Sequence, residues 1–195
     1  MSRVVVVIPA KKKSRRLRNK NILPIKGEPM FLFVAKEISK SKKIDKIIIS
    51  SDCNKIKKIT KRNNFIFVKR PKKLTLEKVE KQDVVVHAIK QIFNKNKKPD
   101  IVISLQPNSP ELNFKDLDKA LTFFENKLYP GAKIKELISI NKNNVQNAAF
   151  RIMTYKTVFQ KTLSTKIGVY VKDLIDIHTR SEYLNAKKNI EKKNK

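Results

Sequence analysis

The first part of the chain alternates between short, continuous apolar runs and longer segments that carry apolar residues on one face. Runs rich in β-branched residues are typical of strands buried on both faces of a parallel sheet. Four such strands are predicted at Arg3–Ile8, Ile44–Ser50, Phe65–Val68 and Asp100–Leu105. Apolar residues at helical spacing predict helices over Pro29–Lys40, Asn54–Arg62, Gln82–Phe93 and Phe114–Phe124. This order predicts an α/β fold with a three-layer, doubly wound and mostly parallel sheet.

The last third of the chain has a less regular pattern. Short apolar runs predict further strands at Glu136–Ile140, Ala148–Met153, Ile167–Val171 and Leu174–Ile177. A helical turn is expected near Thr154–Lys161, and an amphipathic helix over Arg180–Ile190. We therefore expect a single domain over residues 1–186, followed by a basic, frayed C-terminal tail of residues 187–195.

Composition excludes several classes of protein. Hydrophobic residues make up 40% of the 195 residues, and their clustering into clean runs excludes a disordered chain. No apolar run approaches the roughly 18 residues of a membrane span, and the first residues lead into a strand rather than a signal peptide. Cys53 is the only cysteine, which excludes an intrachain disulfide and favours an intracellular, cytoplasmic protein.

The chain is strongly basic, with 46 lysines and arginines against 17 acidic residues and a net charge of +29. Clustered basic residues attract phosphate backbones, so nucleic-acid binding is one hypothesis. The basic residues, however, lie on every predicted helix and in the tail rather than along one stripe, and only eight are arginine. This distribution favours a compositional bias toward lysine over a dedicated nucleic-acid surface.

The first predicted strand ends in a segment that carries seven cations in ten residues: Lys11, Lys12, Lys13, Arg15, Arg16, Arg18 and Lys20. Open parallel sheets bind ligands beyond the carboxyl ends of their strands, so a polyphosphate would fit here. A solvated basic loop is an equally open interpretation. The only glycines are Gly27, Gly131 and Gly168, so the glycine-rich phosphate motifs are absent and side chains must supply any phosphate contacts.

Polar residues follow other strands at the same predicted edge. Ser50, Ser51 and Asp52 end the second strand, and residues 106–110 (Gln-Pro-Asn-Ser-Pro) end the fourth. Asp176 and His178 alternate on one face of a short predicted strand; magnesium prefers oxygen, so the carboxylate suits it better than the imidazole. We expect His87 to be a packed, hydrogen-bonded histidine and Cys53 a small buried filler.

These segments resemble the sialic acid (CMP-N-acylneuraminate) cytidylyltransferases. Ile8–Asn21 is similar to the family opening I-P-A-R-G-G-S-K-R-L-P-G-K-N. Further blocks follow in family order: Ser50–Asp52 resembles S-T-D, Arg70-Pro71 with Leu74 resembles R-P-x-x-L, Asp83–Ile89 resembles D-V-V-x-H-A-L, Pro99–Pro110 resembles P-D-I-V-V-L-L-Q-P-T-S-P, and Ile175–Thr179 resembles I-D-I-D-T.

The resemblance implies a Rossmann-like nucleotidyltransferase that joins CTP to a nine-carbon acidic sugar, with Mg²⁺ as cofactor and pyrophosphate as product. By this resemblance Lys11 and Lys20 are the expected catalytic residues. The expected nucleotide-binding residues are Pro9, Ala10, Lys11, Ser14, Arg16, Lys20, Asn21, Asp52, Arg70 and Lys81. The expected sugar-binding residues are Gln106, Asn108 and Ser109. Asp176 and His178 are the expected metal ligands.

The chain departs from the family pattern in ways that keep alternatives open. Lys12 and Lys13 replace paired glycines, at an expected backbone cost of about 1–3 kcal/mol. Lys11 replaces an arginine, Lys81 a small hydroxyl residue and His178 an aspartate. Only residues 126–147 remain where the family carries a dimerisation arm, so a homodimer is doubtful.

The alternatives are a weakened homologue that binds a nucleotide or a partner without turnover and, less favoured, a nucleic-acid binder. The related 3-deoxy-manno-octulosonate cytidylyltransferases are disfavoured, because they are expected to carry a Q-G-D-E-P-like turn at residues 106–110.

Overall fold

The computed structural model describes residues 3–94, 97–128 and 134–192. Its strands are β1 (Val4–Pro9), β2 (Pro24–Ile25), β3 (Glu28–Pro29), β4 (Lys46–Ser51), β5 (Ile66–Lys69), β6 (Ile101–Leu105), β7 (Glu136–Ile140), β8 (Gln146–Thr154) and β9 (Ile167–Val171). Its α-helices are α1 (Met30–Ile38), α2 (Asn54–Arg62), α3 (Lys81–Ile92), α4 (Phe114–Leu128) and α5 (Arg180–Lys192).

Seven strands form one sheet in the order β5-β4-β1-β6-β8-β7-β9. Strands β5, β4, β1 and β6 are parallel, whereas β8 runs antiparallel to both of its neighbours. The apolar run of β1 is central and buried on both faces, as its β-branched sequence predicts. The predicted mostly parallel α/β fold is therefore confirmed.

Alternate residues of β1 pack into two different layers. Val4, Val6 and Ile8 face a core shared with α1, α2 and α4, while Val5 and Val7 face α3. A smaller third cluster joins α5 to the region after β1 and includes Ile177, Tyr183 and Ile190. This packing of helices on both faces leaves the carboxyl ends of β1, β4 and β6 at one edge of the sheet.

The structure differs from the predicted elements just before the last helix and at the end of that helix. Leu174–Ile177 forms no strand; the Ile177 amide instead donates to the Asn108 carbonyl at 2.9 Å. The prediction of a frayed tail is wrong for residues 187–192, which form the last turns of α5 with Ile190 buried. Residues 193–195 lie outside the described residues.

A short hairpin of β2 and β3 was not predicted. Its two-residue turn consists of Lys26 and Gly27, both with positive φ, at 47° and 76°. Turns of this kind match the right-handed twist of paired strands and favour glycine. None of the helices in the described ranges has the length and apolar character needed to cross a membrane.

Candidate active site

A cleft of about 610 Å³ opens at the carboxyl ends of β1 and β6. Its walls come from the loop after β1, the segment from Arg70 to the start of α3, the residues after β6, and the residues before α5. The cleft brings together most of the predicted site residues: Pro9, Lys11, Ser14, Arg16, Lys20, Asn21, Arg70, Lys81, Gln106, Asn108, Asp176 and His178.

Three predicted site residues do not line the cleft, contrary to expectation. Ala10 is fully buried, and its amide donates to the Ser50 carbonyl at 2.9 Å because the chain still follows β4 at this point. Ser109 is also fully buried. Asp52 accepts the Lys12 backbone N–H at 2.7 Å. Its carboxylate therefore contacts the backbone of the basic loop (residues 11–20) rather than the cleft.

The basic loop keeps its shape without glycine. Neither Lys12 nor Lys13 has a positive φ, so the expected backbone penalty does not arise. The left-handed residue of this loop is Asn19, with φ of 57°, and asparagine tolerates that conformation. The Asn21 side chain donates to the Lys11 carbonyl at 2.9 Å and closes the loop.

Lys20 lies on a short 3₁₀ helix after this loop and is buried. Its Nζ donates to the Ile177 carbonyl at 2.8 Å and lies 3.5 Å from His178 Nδ1. Burial lowers the pKa of Lys20 to about 8, against the opposing effect of Asp176, and nearby Arg16 and Lys81 lower it further. Because the net effect on its pKa is still a lowering, the charge of this ammonium is only partly compensated, and an anion in the cleft would compensate it further.

Two further cations reach the cleft from other elements. Arg70 is 5% exposed and donates to the Ser50 carbonyl at 2.9 Å; burial lowers its pKa to about 10, with Asp52 opposing the shift. Lys81 begins α3, and desolvation by the cleft walls lowers its pKa, again against the effect of Asp176. Arg70 therefore adds a buried positive charge to the cleft, and Lys81 adds one that stays exposed to solvent.

Asp176 is held by its neighbours on both carboxylate oxygens. Oδ1 accepts a hydrogen bond from Asn108 Nδ2, and Oδ2 lies 2.7 Å from His178 Nε2. Asn108 Nδ2 also donates to the Ile177 carbonyl at 3.0 Å. The two residues predicted as metal ligands thus contact each other.

The donor set is a poor fit to a resident magnesium ion. Magnesium demands near-octahedral oxygen ligands, and this part of the cleft offers one carboxylate, already paired, beside an imidazole and the Lys20 ammonium. Within residues 3–94, 97–128 and 134–192, no group of three or more histidine, cysteine, aspartate or glutamate side chains could hold a metal. The protein therefore offers magnesium one carboxylate in a cationic setting, and its own residues do not complete a magnesium site.

Two residues that were expected to be structural, Cys53 and His87, do not line the cleft. Cys53 is buried and packs in the main core, which confirms the expected filler role. His87 Nδ1 is buried with no hydrogen-bond partner among the described atoms, so the expected hydrogen bond at that nitrogen is not formed. Burial lowers the pKa of His87, and Arg70 and Lys73 lower it further.

Sequence reasoning missed the side of the cleft formed by residues 74–79. Leu74, Leu76, Glu77 and Val79 line it, and Glu77 forms an ion pair with Arg15 of the basic loop. Apart from Leu74, which belongs to the R-P-x-x-L resemblance, the sequence offered only acids in a polar segment. Its contact with the loop depends on tertiary packing that local periodicity does not reveal.

Comparisons with known proteins find a matching family and several relatives. A family model described as cytidylyltransferase matches residues 5–190. A 3-deoxy-manno-octulosonate cytidylyltransferase of Francisella tularensis is 32% identical over 123 residues, covering 62% of this chain and 45% of the relative. An N-acylneuraminate cytidylyltransferase of Escherichia coli is 23% identical over 150 residues, covering 77% of this chain and 34% of the relative. The chain thus spans less than half the length of these curated relatives.

A solved structure of CMP:2-keto-3-deoxy-manno-octonic acid synthetase complexed with CTP has the same fold. Its TM-score is 0.79, and the alignment covers 98% of this chain and all of that chain. The sequence identity is 12%, so this likeness concerns the fold alone.

Proposed function

Because this chain belongs to the cytidylyltransferase family, we propose that it transfers the CMP group of CTP to a sugar acid and releases pyrophosphate. The observation that carries this proposal is the convergence of Lys11, Arg16, Lys20, Arg70 and Lys81 on one cleft at the carboxyl end of β1. A triphosphate is the nucleotide group that such a concentration of cations suits.

The cleft residues suit the charge changes of this reaction. As the sugar hydroxyl attacks the α-phosphorus, negative charge grows on the transferred group and on the leaving pyrophosphate. Fixed cations in a partly water-excluded site stabilise that charge without having to reorganise. Lys20 meets this requirement because the Ile177 carbonyl fixes its ammonium at 2.8 Å. Holding CTP and the sugar together in line would lower the barrier further.

We infer that the acceptor is a nine-carbon acidic sugar such as N-acetylneuraminate. The support is the Gln-Pro-Asn-Ser-Pro turn at residues 106–110, from which Gln106 and Asn108 line the cleft. The eight-carbon sugar acid 3-deoxy-manno-octulosonate is the competing acceptor, because relatives that use it are also similar to this chain. Either sugar carries a carboxylate that the cationic cleft would attract.

The test is pyrophosphate release from CTP with a panel of nine-carbon acidic sugars and 3-deoxy-manno-octulosonate. Release with a nine-carbon acid is the expected result. Release with the eight-carbon acid alone would move the acceptor to the other class, and no release with any sugar would remove the enzymatic proposal.

A second function, nucleotide binding without turnover, has its own support. Where the family pattern has a second aspartate, this chain has His178, whose Nε2 lies 2.7 Å from Asp176 Oδ2. Calorimetry that shows CTP binding together with no product from any sugar would establish this function. Absence of CTP binding would contradict both proposals.

A further inference from the structure

The charged side chains that line the cleft are strongly unbalanced. Six are cations: Lys11, Arg15, Arg16, Lys20, Arg70 and Lys81. Two are acids, and one of these, Glu77, is paired with Arg15 at the rim. Asp176 is therefore the acid that faces the remaining cations, and the cleft has positive charge to spare for a polyanion.

Lys20 and Lys81 approach Asp176 from different elements. Lys20 comes from the 3₁₀ helix after β1, and Lys81 from the first turn of α3. Asp176 interacts electrostatically with both ammonium groups. A divalent cation at Asp176 would lie beside two like charges, and its repulsion from Lys20 is the stronger one because Lys20 is buried whereas Lys81 is exposed.

The geometry at Asp176 also leaves a metal ion few ligands. One oxygen accepts from Asn108, the other pairs with His178, and the Ile177 carbonyl accepts from Lys20. A metal ion would have to share these oxygens with Asn108 and His178 and would lie beside the Lys20 ammonium. The protein thus places its own donors, one of them an ammonium, where an oxygen-seeking ion would bind.

We propose that this cleft binds the triphosphate of CTP without a divalent cation, with Lys20 and Lys81 supplying the positive charge that a metal ion would otherwise bring. The inference rests on the proposed function in that it takes CTP as the ligand. It goes further by assigning Lys81 a direct role at the phosphates and by making metal dispensable for binding.

The test is calorimetric titration of the full chain with CTP, once in excess EDTA and once in excess MgCl₂. We expect the two dissociation constants to agree within about threefold. A dissociation constant at least tenfold weaker in EDTA would overturn the inference while leaving the proposed function standing. No binding in either buffer would overturn the proposed function itself, so the two failures are distinguishable.

Two substitutions test whether Lys81 contributes to CTP binding in the absence of metal. Lys81→Met should weaken CTP binding in EDTA at least tenfold and make it depend on Mg²⁺, whereas Lys58→Met removes the same charge from an exposed position on α2 and should change it less than twofold. Equal effects of the two substitutions would contradict the role of Lys81. Circular dichroism and thermal melting verify that both variants are folded.

A substitution that restores the aspartate of the family pattern provides an independent test. His178→Asp adds a second carboxylate beside Asp176, which should create a Mg²⁺ response that the parent chain lacks. We expect CTP binding by this variant to tighten at least fivefold when MgCl₂ replaces EDTA. An equal Mg²⁺ response in parent and variant would count against the inference.

Discussion

At Lys20 the side chain loses most of its contact with water and gains one carbonyl oxygen and one histidine nitrogen in return. Such a buried, fixed ammonium is costly unless an anion compensates it. The same feature makes it effective in stabilising charge on a transferred phosphoryl group.

We therefore predict that Lys20→Ala lowers turnover of CTP by about 10²-fold or more. Lys13→Ala serves as the matched control, because Lys13 lies in the same loop and is exposed. Steady-state kinetics with pyrophosphate detection measures both variants. Turnover by Lys20→Ala equal to that of the control would refute the assigned role.

The pKa of Lys20, lowered to about 8, predicts a pH dependence of nucleotide binding. Below that pH the ammonium is charged and ready to bind phosphate. Above it the free side chain is neutral, so binding must take up a proton, and affinity falls by up to about tenfold per pH unit. Calorimetry with CTP between pH 7 and pH 9.5 should show this decline.

The Lys20→Arg variant tests whether the decline in CTP affinity comes from deprotonation of Lys20. A guanidinium stays protonated throughout the range, so the variant should lose most of the decline even if it binds more weakly at pH 7. A parent protein whose affinity stays flat to pH 9.5 would show that Lys20 is not at the phosphates.

At the scale of elements, the start of α5 determines where His178 and Asp176 lie. Thr179 and Glu182 form a capping box: the Thr179 hydroxyl accepts the Glu182 amide at 3.2 Å, and Glu182 accepts the amides of Thr179 and His178, both at 2.7 Å. These hydrogen bonds hold the pKa of Glu182 below its usual value, with the His178 amide as the largest cause. The helix cap thus fixes the backbone beside the cleft.

We predict that Glu182→Ala lowers the free energy of unfolding by about 1 kcal/mol, because it leaves helix-start amides unpaired. Glu191→Ala, near the end of the same helix at an exposed position, should change stability by less than about 0.5 kcal/mol. Urea denaturation measures both. A cost at Glu191 as large as that at Glu182 would contradict the capping assignment.

The same elements show how far sequence reasoning reaches. The strands β1, β4, β5 and β6 were predicted to within about two residues, because each is a buried β-branched run. The segment before α5 was predicted as a strand, yet its conformation is set by bonds to Asn108, nearly seventy residues away. The local spacing of apolar residues does not indicate a contact between segments so far apart in the sequence.

The candidate site shows the same division. Sequence blocks predicted which loops carry the cations, and the fold brings those loops to one cleft because parallel strands end at one edge. The pairing of Asp176 with His178 and of Glu77 with Arg15 depends on side-chain placement across the cleft. The metal expectation came from residue types and from the family resemblance, and the geometry around Asp176 speaks against it.

At the scale of the whole molecule, the net charge of +29 is a property that no single site explains. If the surface were a nucleic-acid site, RNA or DNA would bind with a steep salt dependence that CTP does not reverse. We predict instead that bound oligonucleotide is released by CTP, since the cleft gathers six cations that both ligands would contact. A fluorescence-anisotropy competition assay measures this, and binding that saturating CTP leaves untouched would favour the nucleic-acid hypothesis.

The charge excess also predicts two opposite effects of salt. Like charges repel across the folded surface, so raising KCl from about 0.01 M to about 0.1 M, which shortens the screening length from about 30 Å to about 10 Å, should raise the melting temperature. The same screening weakens attraction between the cleft and a polyanion, so the dissociation constant for CTP should rise over the same range. Thermal melting and calorimetry in the same KCl series measure the two effects. A melting temperature that falls with KCl would show that the surface cations are balanced by ion pairs, whereas CTP affinity independent of KCl would show that the cleft cations do not meet the phosphates.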